Sequence, residues 1–308
     1  MNITAKDNHV STNVATSKKN KMKENRVFNI INIIFLTLFT IIIIFPIWNI
    51  VVKSFSSPET ISSVGLRIWP KEFSLANYQI VFNDPTIWNA FIISVLKTVI
   101  GVITHVLLTA MVAYGMSKQN LLGRNFYTAL GVGSMFFSGG MIPTYLLMRS
   151  LGLLDSFWVY IIPSLFSYYD MLILMNFFRE IPSSLEESAK IDGAGVWKIF
   201  TRIILPLSTP VLATIALFNG VFQWNDYMTA KLYISNEALY PIQMKLYEII
   251  VQTQAAANMS NITSVVIPTT AESIQLATIV IATVPIVLVY PFLQKYFISG
   301  MMIGAVKE

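Results

Sequence analysis

The residues of this chain best equipped for chemistry lie between positions 219 and 226. Asn219, Gln223 and Asp226 recur at i, i+4 and i+7, with Phe218, Phe222 and Trp224 among them and Asn225 alongside. That spacing puts two amides and a carboxylate on one stripe of a helix, next to aromatic rings. Such a stripe suits a polyhydroxylated ring compound, whose hydroxyls take planar donors and acceptors while its C–H faces pack on aromatic planes. It suits hydrogen bonding of one helix to another equally well. Tyr168, Tyr169 and Asp170 form a similar polar and aromatic break, and Lys97 and His105, eight residues apart, share one face of another segment.

The elements that must position these groups are membrane helices. Apolar residues make up 55% of the 308, charged residues 12%, and the mean hydropathy is +0.62, which excludes an ordinary soluble fold. Six runs are long enough to cross a ~30 Å hydrocarbon core as helices: about 28–52, 88–116, 126–148, 156–178, 203–226 and 274–298. They are too long and continuous for barrel strands, so the expected fold class is an all-α integral membrane protein with six transmembrane helices over 28–300. Placing both termini in the cytoplasm puts fourteen Lys and Arg residues inside and six outside, with Lys97 within a span, as the positive-inside rule prefers. Residues 1–27 read as a flexible basic cytoplasmic tail, whose Lys18, Lys19, Lys21, Lys23 and Arg26 would attract anionic lipid rather than nucleic acid. External connections are expected at about 53–87 and 227–273, the second mobile where it turns Ser-, Thr- and Asn-rich after Asn258.

An ionisable group at the centre of a membrane helix costs at least ~2.5–3.5 kcal/mol on insertion scales, so each needs a partner or a wet cavity. Lys97 is therefore expected to pair with Asp170 or Asp226. The chain has no cysteine, its two histidines His9 and His105 cannot cluster around a metal, and no G-x-x-x-x-G-K-[ST] phosphate loop occurs, so neither metal nor ATP chemistry is expected on this chain. Asn258-Met259-Ser260 and Asn261-Ile262-Thr263 match the glycosylation pattern by chance alone.

Between the fourth and fifth runs lies a polar segment, about 179–206. Ser183 or Ser184 is placed to cap a helix through Asp192, Gly193 breaks it, and a second amphipathic turn with Val196, Trp197, Ile199 and Phe200 leads to Leu205-Pro206. Glu187, Ala189, Gly193, Ile203, Leu205 and Pro206 fall in register with the EAA loop of permease subunits of binding-protein-dependent ABC importers, with Ser188 at the middle alanine. The chain resembles that family, and most of all its carbohydrate branch, where a Trp-Asn-Asp/Glu element ends the fifth span and a Gly-Ala-Val-Lys-like tail ends the chain. Here these read Trp224-Asn225-Asp226 and Gly304-Ala305-Val306-Lys307, within an expected C-terminal tail at 301–308.

The resemblance implies the fold of a type I importer permease and a non-catalytic transport subunit in the cell membrane. Glu187, Ser188, Ala189, Asp192, Gly193, Ala194, Ile203, Leu205 and Pro206 would couple it to an ATPase, which the tail at 304–307 would also approach. It implies a second, homologous permease, two ATPase subunits that hold the ATP and Mg, and an extracellular, membrane-tethered sugar-binding protein. The cargo would be a carbohydrate, an oligosaccharide or polysaccharide fragment as in Gram-positive relatives, meeting Asn219, Phe222, Gln223, Trp224, Asn225, Asp226, Tyr169 and Asp170 on its way. The rival reading is an ion-gradient-driven secondary transporter with Asp170, His105 and Lys97 as a relay, but its signature, internal repeats with broken helices, does not appear.

Overall fold

In lipid every backbone polar group must find its partner inside the protein, and over most of this chain the partner lies within the same helix. The computed structural model describes residues 26–61, 65, 67–263 and 269–305. These form α1 (Arg26–Ser54), α2 (Pro58–Ile61), α3 (Ala76–Asn83), α4 (Pro85–Ser117), α5 (Arg124–Phe136), α6 (Met141–Ser150), α7 (Tyr168–Glu180), α8 (Ser183–Ile191), α9 (Val196–Ile199), α10 (Leu205–Leu207), α11 (Thr209–Asn225), α12 (Met228–Tyr233), α13 (Ile242–Thr263) and α14 (Thr269–Ala305). The chain divides into two units, residues 1–48 and 49–308. The described part of the first is the larger portion of α1, which exposes Phe28, Ile31, Ile34, Phe35, Leu38 and Ile42; apolar side chains turned outward over a full helix require lipid as the solvent.

In the second unit α4 is the axis. It packs against α7 and α11, and α11 packs in turn against α14. Ala110, Ala113 and Tyr114 of α4 meet Met171, Leu174, Met175 and Phe178 of α7 and Val211 and Ile215 of α11 at one end of the bundle. The opposite end is built on Met148, Val159, Tyr160, Ala230, Ile234 and Met244. Asp155 ties that end together. It stands in the left-handed region at φ 52°, and its carboxylate accepts from the backbone of Ser235 and, at 2.9 Å, of Asn236.

Three of the six expected spans are single helices and three are bent pairs. The run 126–148 is α5 and α6, which diverge by 114° across Phe137–Gly140. The run 156–178 is a pair of 3₁₀ turns, Phe157–Tyr160 and Ile162–Ser164, followed by α7 at 49°. The run 203–226 is the end of the Val196–Leu207 segment followed by α11, the two meeting at 79° at Ser208, which Pro206 and Pro210 bracket. The long connections also differ from expectation. Asn77 donates to the carbonyls of Ser54 and Ser56, both at 2.8 Å, and so fastens the first connection to the end of α1. The second holds α12 and α13, and its polar residues Asn258 to Thr263 continue α13.

Candidate functional site: the loop after the fourth span

The segment 182–208 is a frame of two short helices around a glycine. Ser183 opens α8 instead of capping it. Pro182 holds the cap position with extended backbone, and no side chain caps the helix. Its far end is a Schellman turn: Ala194 N–H donates to Ala189 O at 2.9 Å, Gly193 N–H to Lys190 O at 3.0 Å, and Gly193 has φ +75°. A residue with a Cβ pays about 1–2 kcal/mol for that conformation. Behind the turn, α9 runs through a wide π turn, Phe200–Ile204, into α10.

The motif residues divide by face. Ala189, Ala194 and Leu205 pack against the core at this end, where Ile199, Phe200 and Ile204 are buried. Glu187, Ser188, Asp192, Gly193 and Pro206 are exposed and Ile203 is half-buried. Beside them stand three large apolar side chains turned to solvent, Ile191 at 87%, Trp197 at 66% and Val196 at 65% exposed. The buried scaffold thus holds apolar groups outward with carboxylates between them.

One contact here has no counterpart in the motif. Lys118, just past α4, bonds the carboxylate of Glu186 and stands 3.8 Å over the ring of Tyr114, which packs at 5.2 Å on Phe200. The neighbour of Glu187, and not Glu187 itself, ties the frame to the bundle. No spacing rule distinguishes the two.

The intramembrane ionisable groups Lys97, His105, Asp170 and Asp226 are paired. Lys97, fully buried, donates to the backbone carbonyl of Asp226 at 2.7 Å and forms an ion pair with its carboxylate at 3.5 Å, 4.8 Å from the centre of the Tyr160 ring. Of the two acids foreseen as its partner, Asp226 is the one that holds it. Asp170 instead faces His105 Nε2 at 3.0 Å, while His105 Nδ1 lies 2.8 Å from Ser164 O. Since a carbonyl only accepts, Nδ1 carries a proton. Gln223 donates to Tyr160 O at 3.1 Å and Ser164 Oγ at 2.7 Å. Thus His105 and Gln223 both satisfy the broken start of the fourth span, which hydrocarbon would leave unpaired.

The matches to known proteins bear on what this arrangement serves. Residues 14–303 match the family described as the binding-protein-dependent transport system inner membrane component. The chain belongs to that family. Among curated relatives, the polygalacturonan/rhamnogalacturonan transport system permease protein YtcP of Bacillus subtilis (strain 168) is 44% identical over 285 residues, 92% of this chain and 99% of that one. Protein LplC of the same organism is also 44% identical, over 92% of this chain and 96% of its own. Among solved structures, a bacterial ABC transporter involved in the import of the acidic polysaccharide alginate has a chain that superposes with a TM-score of 0.81 at 30% identity, covering 89% of this chain and 98% of that one.

The permease is therefore a membrane-embedded, non-catalytic transport subunit of the type I importer fold. Its stripe at Asn219, Gln223 and Asp226 turns inward: Gln223 and Asp226 bond within the bundle, while Asn219 is buried with an Oδ1 that has no partner among the described residues. Trp224 is also structural. It is 6% exposed, donates to Ala282 O at 2.9 Å and meets Phe91 edge-on at 5.9 Å. The exposed stripe of α11 is the next one round, Phe218, Val221, Phe222 and Asn225, and Tyr169 is exposed at 58%. Trp224→Ala is expected to cost about 3–5 kcal/mol of stability through the cavity it leaves, seen as early loss of the monodisperse peak on heating in detergent; unchanged stability with slowed uptake would return Trp224 to the transport path. Gly304 and Ala305 close α14, and Val306 and Lys307 lie outside the described residues.

Proposed function

We propose that this permease forms half of the membrane channel of an ATP-driven importer for fragments of acidic polysaccharide. It would be paired with a homologous permease, driven by two ATPase subunits that carry the ATP and Mg, and fed by an extracellular, membrane-tethered sugar-binding protein. The observation that carries the coupling role is the frame at 182–208. Its buried side is fixed to α4 and α7, and its outer side offers Ile191, Val196 and Trp197 beside Glu187 and Asp192. A rigid lever with an apolar tip is what transmission of an ATPase movement into helices requires. Both termini and this frame then face the cytoplasm, in keeping with the Lys and Arg distribution, and Gly304 and Ala305, at the end of α14, lie on the ATPase side.

The substrate class rests on the relatives. One is named for polygalacturonan and rhamnogalacturonan, and the solved neighbour for alginate; these are carboxylate-bearing polymers. Tyr169, Phe222 and Asn225 are the surface-exposed candidates for sugar contact on this half, with Asn219 and Asp170 behind them.

The test is affinity purification of the tagged permease from its native membrane in mild detergent, with identification of every accompanying protein. A second six-span permease and a Walker-type ATPase are expected, together with uptake of oligogalacturonate that vanadate stops. The permease alone, still active under an ion gradient when reconstituted, would replace this reading with a secondary transporter.

A further inference from the structure

Two spans of this permease are broken near the middle of their course, and the structure treats the two breaks differently. In the fourth, the freed groups are taken up from within: Ser164 O faces His105 Nδ1, and Tyr160 O and Ser164 Oγ accept from Gln223. In the third, between α5 and α6, no described residue takes them up. Phe137, Ser138 and Gly139 make no backbone hydrogen bond to any described residue, and Ser138 Oγ accepts only from Gly140 N–H, at 3.3 Å. The flanking rings are turned outward, Phe136 at 81% and Phe137 at 85% exposed.

The depth of this break follows from helix lengths. α5 has 13 residues and α6 has 10, about 20 Å and 15 Å at ~1.5 Å per residue. At 114° to each other neither crosses a ~30 Å core alone, so 137–140 lies well inside it. Irregular backbone does not face hydrocarbon. It is tolerated at that depth only where protein covers it or where it lines a water-filled cavity. The near end of this span is also held in place. Gly131 of α5 lies so close to Tyr168 that a Cβ there would sit 1.9 Å from the ring, and Tyr168 OH reaches Thr128 O at 3.3 Å. The break therefore begins beside the start of α7, the helix that leads directly to the coupling frame.

We propose that the break at 137–139 lines the aqueous transport cavity and that its free main-chain N–H and C=O groups hydrogen-bond the hydroxyls of the passing sugar, with Phe136 and Phe137 packing on the ring faces. The proposal rests on the importer reading above. Main-chain donors and acceptors read hydroxyls without demanding one particular sugar, which fits a channel for fragments of varied length.

The absence of native cysteine makes the test direct. Ser138→Cys is placed in the full system in its own membrane, with Phe137→Cys as a second probe, Leu38→Cys as a lipid-facing control and Glu237→Cys as a water-facing one. Each is treated with a membrane-impermeant methanethiosulfonate, and the cysteine-free parent gives the background. Positions 137 and 138 are expected to react as position 237 does, with oligogalacturonate under uptake conditions slowing the reaction about fivefold, the factor carried by roughly one net hydrogen bond. No reaction at either position in resting or vanadate-trapped membranes means that the sister subunit covers the break and overturns the proposal. Reaction that the sugar leaves unchanged in cells that take it up overturns the sugar contact. Parent cells that take up no oligogalacturonate overturn the proposed substrate class, whereas loss of the cavity shows only as absent thiol reaction.

Discussion

Gly193→Pro is expected to abolish uptake while the protein still inserts in the membrane at its normal level. Proline is fixed near φ −65° and has no N–H, whereas Gly193 stands at φ +75° and donates to Lys190 O. The substitution therefore removes both features of the Schellman turn and lets α8 swing away from α9. The spans do not depend on it, since no heavy atom lies within 4 Å of where a Cβ would be. Gly193→Ala should be milder, because the ~1–2 kcal/mol penalty of the left-handed region loosens the turn without forbidding it. Glu187→Lys tests the other half of the idea: Glu187 is exposed, so reversal of its charge leaves the frame folded and changes only what the ATPase meets. Uptake of labelled sugar against immunoblotted membrane protein decides the matter, and parental uptake by Gly193→Pro would mean that this turn transmits nothing.

The frame at 182–208 was legible in the sequence because its constraints are local. A glycine that must take positive φ, small residues that must pack closely and a proline that must bend the chain each announce themselves by type, and Ala189, Gly193 and Pro206 stand where they were expected. Existence of the spans was legible for a similar reason, hydropathy being a property of composition. What hydropathy does not record is direction. Runs such as 126–148 read as continuous although Gly139 and Gly140 divide them, since apolar residues on either side of a break give the same average as an unbroken helix. The polar stripe of the fifth span illustrates the complementary failure. Asn219 and Gln223 share the buried face of α11 and Asp226 follows as its C-cap, but a period shows which residues share a face and not which neighbour that face meets. Partners at sequence separations of 63 for Gln223 and 129 for Asp226 decide that, and no local rule reaches so far.

The same long-range pairing sets a large expected loss of stability. Asp226→Ala strands the ammonium of Lys97, which has no exposed surface, with the 2.7 Å bond to the backbone carbonyl at 226 and the face of the Tyr160 ring but no counter-charge to hold it. Removal of one partner from a buried pair costs about 3–5 kcal/mol, because the other charge stays desolvated. Lys97→Met should cost less. It strands a carboxylate that keeps 11% of its surface and still accepts from Thr229 N–H at 3.1 Å, so water and a backbone donor remain to it. Lys97→Met combined with Asp226→Asn removes both charges and should recover much of the loss, since a neutral pair of similar volume leaves no desolvated charge. The order of the three in thermal unfolding followed by detergent size-exclusion separates charge pairing from simple packing. Packing alone would make the double variant the least stable of the set, while a buried ion pair requires it to stand above Asp226→Ala.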